Sequence, residues 1–276
     1  MKAKPFIKWV GGKSQLLSQL DPLFPESFGT YFEPFLGGGA VFYHLQPKKA
    51  VLNDVNETLI QTYRYIKEDP SKLVKGLISL QKKFLGTPLD ERDVLFYDIR
   101  SEYNKLQATD LKRAVYFLFL NKTAFNGIHR ENSKGEFNVP FGKYKNPTIV
   151  DPDNLLAVSN LLKSVLLLNT DFTAAVKKAK KGDFVYFDPP YHPLVDAPSF
   201  TSYHKDNFGK EEQIKLRDTF VELDKKGVFV MLSNSYTPFI KDIYKGFKQV
   251  PVQASRFVNA KASGRGKINE IVILNY

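Results

Sequence analysis

The 276-residue chain is 43% hydrophobic and 14% aromatic and carries a formal net charge of +11. That composition supports a packed core and excludes a disordered chain, and the positive excess points to a polyanionic partner, nucleic acid first. The absence of cysteine excludes disulfides, thiolate metal sites and cysteine nucleophiles. His44, His129, His192 and His204 show no metal-ligand spacing, so no metal is expected. No stretch approaches the ~18 apolar residues of a membrane span, and MKAKPFIKWVGGK lacks the apolar core of a signal peptide. A soluble, cytoplasmic protein is expected. The length suits one large α/β domain with an insertion, or two small domains.

The first element is FIKWVGGKSQLL. Either Trp9 is core and Gly11-Gly12 a turn, or Lys13 holds a carboxylate or phosphate beside exposed glycine amides. The GxxxxGK[ST] phosphate loop is absent. Next, YFEPFL (31–36) reads as a strand, Gly37-Gly38-Gly39 break it, and AVFYHL opens a helix. KAVLND (49–54) is a second strand ending in Asp54. This β–glycine loop–α–β unit is either a tight turn or a cradle for an adenosine-bearing cofactor, with Asp54 placed to accept from ribose hydroxyls.

From about 57 to 160 the texture is helical: ETLIQTYRYIKEDPSKLVKGLISLQKKF, then LKRAVYFLFLNK. The polar, basic stretch TAFNGIHRENSKGEFNVPFGKYKNP follows and is too long for a βα loop. It predicts an inserted helical subdomain ending in a hairpin-like element.

After residue 160 strands and helices alternate again. VLLLNTDF is a strand, TAAVKKAKKG a helix, DFVYFDPPY a strand, EEQIKLRDTFVELDKKG a helix, VFVMLSNS a strand and NEIVILNY an antiparallel edge strand. Alternation of this kind predicts a parallel sheet covered on both faces. The predicted domains are 1–56 with 161–276, and an insertion at 57–160. The basic runs KKAKKG and KGLISLQKK are solvated helix faces or, alternatively, DNA contacts, and Arg265 in SGRGK is a candidate phosphate contact.

DFVYFDPPYHP carries the most specific chemistry. An apolar strand stops at Asp188-Pro189-Pro190-Tyr191, where two prolines remove two N–H donors and fix two φ angles. A planar amine held there would donate to the Asp188 carboxylate and the Pro189 carbonyl, with Tyr191 on its ring face. Holding and desolvating such an amine beside an electrophile improves a poor nucleophile. The plainer reading is a strand terminator with a helix-capping aspartate.

Together PFIKWVGGK, FEPFLGGGAV, NDVN, FNGIHREN, FNVPFGKY, DPPY and VMLSNS resemble the Dam-type DNA adenine N6-methyltransferases, over nearly the whole chain and in the family's order. The SGRGKINEI segment resembles the restriction-associated GATC methylases. The resemblance implies a doubly wound methyltransferase fold with an inserted target-recognition domain, S-adenosylmethionine as cofactor, duplex DNA as partner, and a cognate nuclease in the same system. It implies that Trp9, Gly12 and Lys13 lie at the cofactor, Lys13 near the methionine carboxylate. Glu33, Pro34, Phe35 and Gly37 to Gly39 match the glycine-loop wall, Asp54 the ribose acceptor, and Asp171-Phe172 the adenine holder. Asp188 to Tyr191 match the catalytic motif, with Asp188 also bordering the cofactor. Lys8, Phe125, Asn126, Ile128, Arg130, Asn132 and Pro140 match positions that meet DNA. Arg130 can grip guanine bidentately, and Lys8 matches a contact to the first guanine. Phe125 stands where the family often has tyrosine, which keeps stacking and loses a hydroxyl.

The implied reaction acts on an adenine flipped out of the duplex. Without cysteine, the usual nucleophile of cytosine C5 methylation is missing. N4-cytosine and RNA adenine methylation, a non-catalytic DNA-binding protein and a nucleotide-dependent oxidoreductase are the competing readings.

Overall fold

The computed structural model describes residues 1–193, 208–255 and 267–276. Arg265 and most of SGRGK lie outside the described residues, as does His204. In chain order come α1 (Leu17–Leu20), β1 (Tyr31–Glu33), α2 (Ala40–Leu45), β2 (Ala50–Asn53), α3 (Glu57–Glu68) and α4 (Pro70–Gly86). Then follow α5 (Arg92–Tyr103), α6 (Leu111–Thr123), α7 (Pro152–Leu162), β3 (Val165–Leu168), α8 (Phe172–Val176) and β4 (Phe184–Phe187). The chain ends with α9 (Lys210–Lys225), β5 (Phe229–Ser235), α10 (Pro238–Ile243), β6 (Lys248–Ser255) and β7 (Lys267–Leu274).

The strands form a seven-stranded sheet of order β3-β2-β1-β4-β5-β7-β6. β1 pairs in parallel with β2 and β4, and β4 with β5. β7 runs antiparallel to both β5 and β6. The fold is therefore α/β with a mostly parallel sheet, as the alternation predicts. One expectation is corrected: β7 is antiparallel but internal, and β6 outside it is the edge. β6 carries Pro251, which cannot donate to a ladder and is tolerated where no further strand must be bonded.

The chain divides into two compact units. The first comprises Met1–Gly12, Gly37–Gln46 and Asp54–Asn169; the second comprises Lys13–Leu36, Pro47–Asn53 and Thr170–Tyr276. In the first unit the helices have ordinary sequence causes. Asn56, Asp69 and Asp151 cap α3, α4 and α7 by accepting from backbone amides, and Pro70 and Pro152 start the last two. Their apolar faces bury Leu59, Ile60, Tyr63, Leu73, Leu77, Phe84, Phe117 and Leu155. α5 and α7 have no counterpart among the elements predicted from the sequence. Arg92 opens α5 and is only 6% exposed, because its guanidinium donates to the carbonyls of Leu85, Thr87 and Lys145. A buried arginine of this kind hides a core position inside a charged-looking sequence.

In the second unit β4 is the spine. Phe184, Val185, Tyr186 and Phe187 are each fully buried, as expected for a parallel strand covered on both faces. Val185 and Phe187 join Phe32, Val230, Leu232, Leu216, Phe220, Ile271 and Ile273 in one core. The strand's entry is fixed by Asp183, 3% exposed, whose carboxylate accepts from the amides of Thr30 (2.8 Å) and Lys180 (3.0 Å). Gly29 leaves room for it, since a Cβ there would meet Asp183 Oδ1 at 2.7 Å.

Asp183→Ala orphans two amides and removes charge-assisted bonds, so it should cost about 2–4 kcal/mol. Urea unfolding checks this. Asp183→Asn should lose less, and a loss under about 0.5 kcal/mol in the alanine variant would contradict the anchoring role.

Candidate active site

In the second unit the chain leaves β4 at Asp188, the first polar side chain after four buried residues. Its carboxylate meets Lys13 Nζ at 2.7 Å, with side chains 19% and 5% exposed. The same ammonium lies 4.9 Å from the centre of the Tyr191 ring, within cation–π range. Tyr191 Oη donates to Glu270 Oε2 at 2.7 Å. Lys13, Asp188, Tyr191 and Glu270 thus form one half-buried cluster at the carboxyl end of a parallel strand, where open α/β sheets place ligands. Burial raises the Asp188 pKa above the ordinary aspartate value, while the Lys13 ammonium opposes the rise. Burial also pushes the Tyr191 phenol well up, and the Asp188 charge adds to it. The tyrosine therefore stays neutral.

Glu33 is buried at the end of β1 and accepts from Tyr31 Oη at 2.8 Å. Asn53, at the end of β2, donates to the carbonyls of Pro34 (2.9 Å) and Thr170 (3.0 Å), and its oxygen accepts from the Thr170 amide. One asparagine thus fixes both Pro34 before the glycine loop and Thr170 before Asp171. Beyond it, half-buried Phe35 lies against buried Phe172 with centroids 5.4 Å apart, and both meet Phe208. Asp171 caps α8 through Thr173 and pairs with Lys215 at 3.1 Å.

In the first unit Trp9 packs on the glycine loop. A Cβ on Gly37, whose φ is +48°, would sit 2.6 Å from Trp9 Cδ1, and one on Gly38 would sit 3.2 Å from Trp9 Cβ. Only glycine fits at 37. Asp54 holds the loop by accepting from the amides of Gly37 (2.8 Å) and Asn56 (2.9 Å). Gly39, at φ 66°, starts α2. Exposed Gly12 donates to the Trp9 carbonyl at 3.2 Å.

The DNA candidates of the first unit also converge. Asn121, at the end of α6, binds the amide of Lys8 (2.9 Å), its carbonyl (2.8 Å) and the Gly127 carbonyl (3.0 Å). Lys8 is thereby fixed beside the NGIHREN loop. Phe125 is 52% exposed, and its amide donates to the Pro140 carbonyl. Asn126 adopts φ +55°, a left-handed turn that asparagine tolerates. Exposed Arg130 is braced by Asn138 Oδ1 at 2.7 Å. Asn132 closes the hairpin by accepting from the amides of Lys134 and Glu136. Ile128 is half-buried. His129 stacks on Trp9 at 5.3 Å, and burial lowers its pKa to about 4, so it is neutral.

The sequence pattern of the D12 class N6 adenine-specific DNA methyltransferases matches residues 9–258. The chain belongs to this family. It is an enzyme that methylates adenine in DNA, and DNA is its macromolecular partner. It is 45% identical to the type II methyltransferase M1.LlaDCHI of Lactococcus lactis subsp. cremoris over 99% of this chain and 95% of that relative. It is also 45% identical to the type II methyltransferase M.MjaIII of Methanocaldococcus jannaschii, over the full length of both. The DNA adenine methylase of Escherichia coli K12 is 32% identical over 99% of this chain and 95% of its own length.

Among the described residues of this methyltransferase no three His, Asp or Glu side chains group as a metal site. No described helix is long and apolar enough to cross a membrane. Two groups on strands of the second unit, Glu270 in β7 and the end of β5, are not evident from sequence. Glu270 reads there only as part of an apolar strand, although a lone acid in NEIVIL is its signal. The VMLSNS stretch resembles the family without any role attaching to its residues.

Asp188 accepts from an amine most strongly as the carboxylate, because protonation turns one of its oxygens into a donor and removes the charge. Methyl transfer should therefore fall as pH drops through a value above the ordinary aspartate range, because burial raises that pKa. Lys13→Met removes the opposing ammonium, so the acid limb of the kcat profile should move to higher pH. An unshifted limb would separate Asp188 from the reaction.

Proposed function

We propose that this enzyme transfers the methyl group of S-adenosylmethionine to N6 of an adenine flipped out of GATC, as the modification member of a type II restriction system in the cytoplasm. The observation that carries the reading is the Asp188–Lys13–Tyr191 cluster at the end of β4.

The residues fit such a cofactor. Lys13 is an ammonium suited to its carboxylate. Gly37 and Gly38 keep the loop backbone bare against Trp9, where a Cβ would meet the tryptophan side chain. Asp54 accepts from the amides of Gly37 in the glycine loop and of Asn56, and a carboxylate at that place is suited to ribose hydroxyls. Trp9, Gly12, Glu33, Pro34, Phe35, Asp171 and Phe172 are the remaining cofactor positions. Bound there, S-adenosylmethionine supplies a methyl group on a sulfonium centre.

The chain's own residues prepare the target amine. Asp188 and the Pro189 carbonyl accept its two hydrogens, which orients the nitrogen and draws electron density onto it. Pro190 keeps the turn stiff, and the Tyr191 ring packs on the base. Taking the adenine out of the stack costs a few kcal/mol. Exposed Phe125 is suited to fill the gap, and Asn126, Ile128, Arg130, Asn132 and Pro140 of residues 57–160, the inserted recognition domain, read the DNA together with Lys8 of the N-terminal segment. GATC rests on the likeness of FNGIHREN and FNVPFGKY to GATC methylases. The type II assignment and a partner nuclease rest on the names of the 45% identical relatives.

Labelled methyl transfer tests this on three duplexes: GATC, GATC already N6-methylated on both strands, and a scrambled site. Label in the first alone is expected. Label in the scrambled duplex overturns the GATC assignment.

A further inference from the structure

We propose that Gln213 and Asn234 are positioning residues for methyl transfer, a pair of buried amides that clamps the backbone around Tyr191. The proposal rests on the reading of Asp188 to Tyr191 as the catalytic turn. Gln213 lies in the first turn of α9 and Asn234 near the end of β5, and both are 0% exposed.

Their polar atoms close a ring. Gln213 Nε2 donates to the Pro190 carbonyl at 2.9 Å. Gln213 Oε1 accepts from Asn234 Nδ2 at 3.0 Å. Asn234 Oδ1 accepts from the His192 amide at 3.1 Å. Tyr191 lies inside that ring, between a fixed carbonyl before it and a fixed amide after it. Ser235 Oγ adds a bond to the His192 carbonyl at 2.6 Å. Ser233 Oγ holds Tyr186 Oη at 2.9 Å, two residues before Asp188.

The ring acts on the torsions that aim the site. Pro189 and Pro190 have φ fixed near −65°. With the Pro190 carbonyl and the His192 amide also held, little freedom remains for the Tyr191 backbone or the peptide planes before it. An apolar pair of the same volume would leave the Pro190 carbonyl and the His192 amide without these partners. Two of the three donor–acceptor links end on the backbone of residues 190 and 192, and the third joins the two amides to each other. The VMLSNS motif thereby gains a role, since each of its three final polar side chains touches β4 or the turn that follows it.

The test uses full-length enzyme, a duplex that the parent methylates, and Gln213→Met, which keeps volume and removes both bonds. Gln213→Glu serves as a second variant: it keeps the acceptor for Asn234, but its carboxylate cannot donate to Pro190. Single-turnover methyl transfer, duplex and S-adenosylmethionine affinities and the melting midpoint are measured, with Asp188→Ala alongside. Because small misplacements cost large rate factors, both Gln213 variants should slow transfer about 10- to 100-fold, with both affinities within about threefold of the parent. Parental rates in the Gln213 variants with an inactive Asp188→Ala overturn the clamp and leave the site. A fully active Asp188→Ala overturns the site and the clamp with it. A joint fall of rate, both affinities and melting midpoint in both Gln213 variants reduces the pair to fold support and also overturns the proposal.

Discussion

A strand buried on both faces can carry no uncompensated polar side chain, and β4 obeys that constraint for four residues before it delivers Asp188. The carboxylate emerges where the sheet ends, and the Lys13 ammonium meets it at 2.7 Å. Removing a charge from water is costly unless it is paired, so the position of Lys13 in the second unit follows from the position of Asp188. The same ammonium lies over the Tyr191 ring, whose phenol donates to Glu270. Asp183 fixes where the strand starts and Asp188 where its chemistry starts.

The first unit is organised by side chains that imitate backbone. Asn121 pairs with both the amide and the carbonyl of Lys8, as a neighbouring strand would, and Asn154 does the same for Lys4. The N-terminal segment is thereby held without a sheet. Trp9 then packs against the glycine loop and stacks on His129 of the NGIHREN loop. A neutral, buried imidazole suits that stack, since a charged one would lose hydration.

Some features are plain in the sequence because local physics decides them. GGG after a short strand demands a sharp turn. DFVYF demands a buried strand. The helical stretches read at α3, α4 and α6 form helices, and the alternation gives the parallel sheet. Other features depend on distant partners. Arg92 is polar by name and core by its three carbonyl partners, so α5 stays hidden. Pro251 argues against a strand that only an edge position permits, so the sequence conceals β6 and puts β7 at the edge. Of the candidate site, Asp188, Tyr191, Lys13 and Gly37 to Gly39 are legible as chemistry. Gln213, Asn234 and Asn121 are not, because amides inside apolar stretches reveal their partners only after the fold brings them together.

Whether the turn after β4 receives the target amine is tested most directly by a crystal structure of the enzyme with an unreactive S-adenosylmethionine analogue and a duplex bearing its target site. The expected result is an adenine outside the stack, with N6 within hydrogen-bond distance of the Asp188 carboxylate and the Pro189 carbonyl and the Tyr191 ring on its face. An extruded adenine whose N6 lies away from Asp188 would contradict that role for the turn.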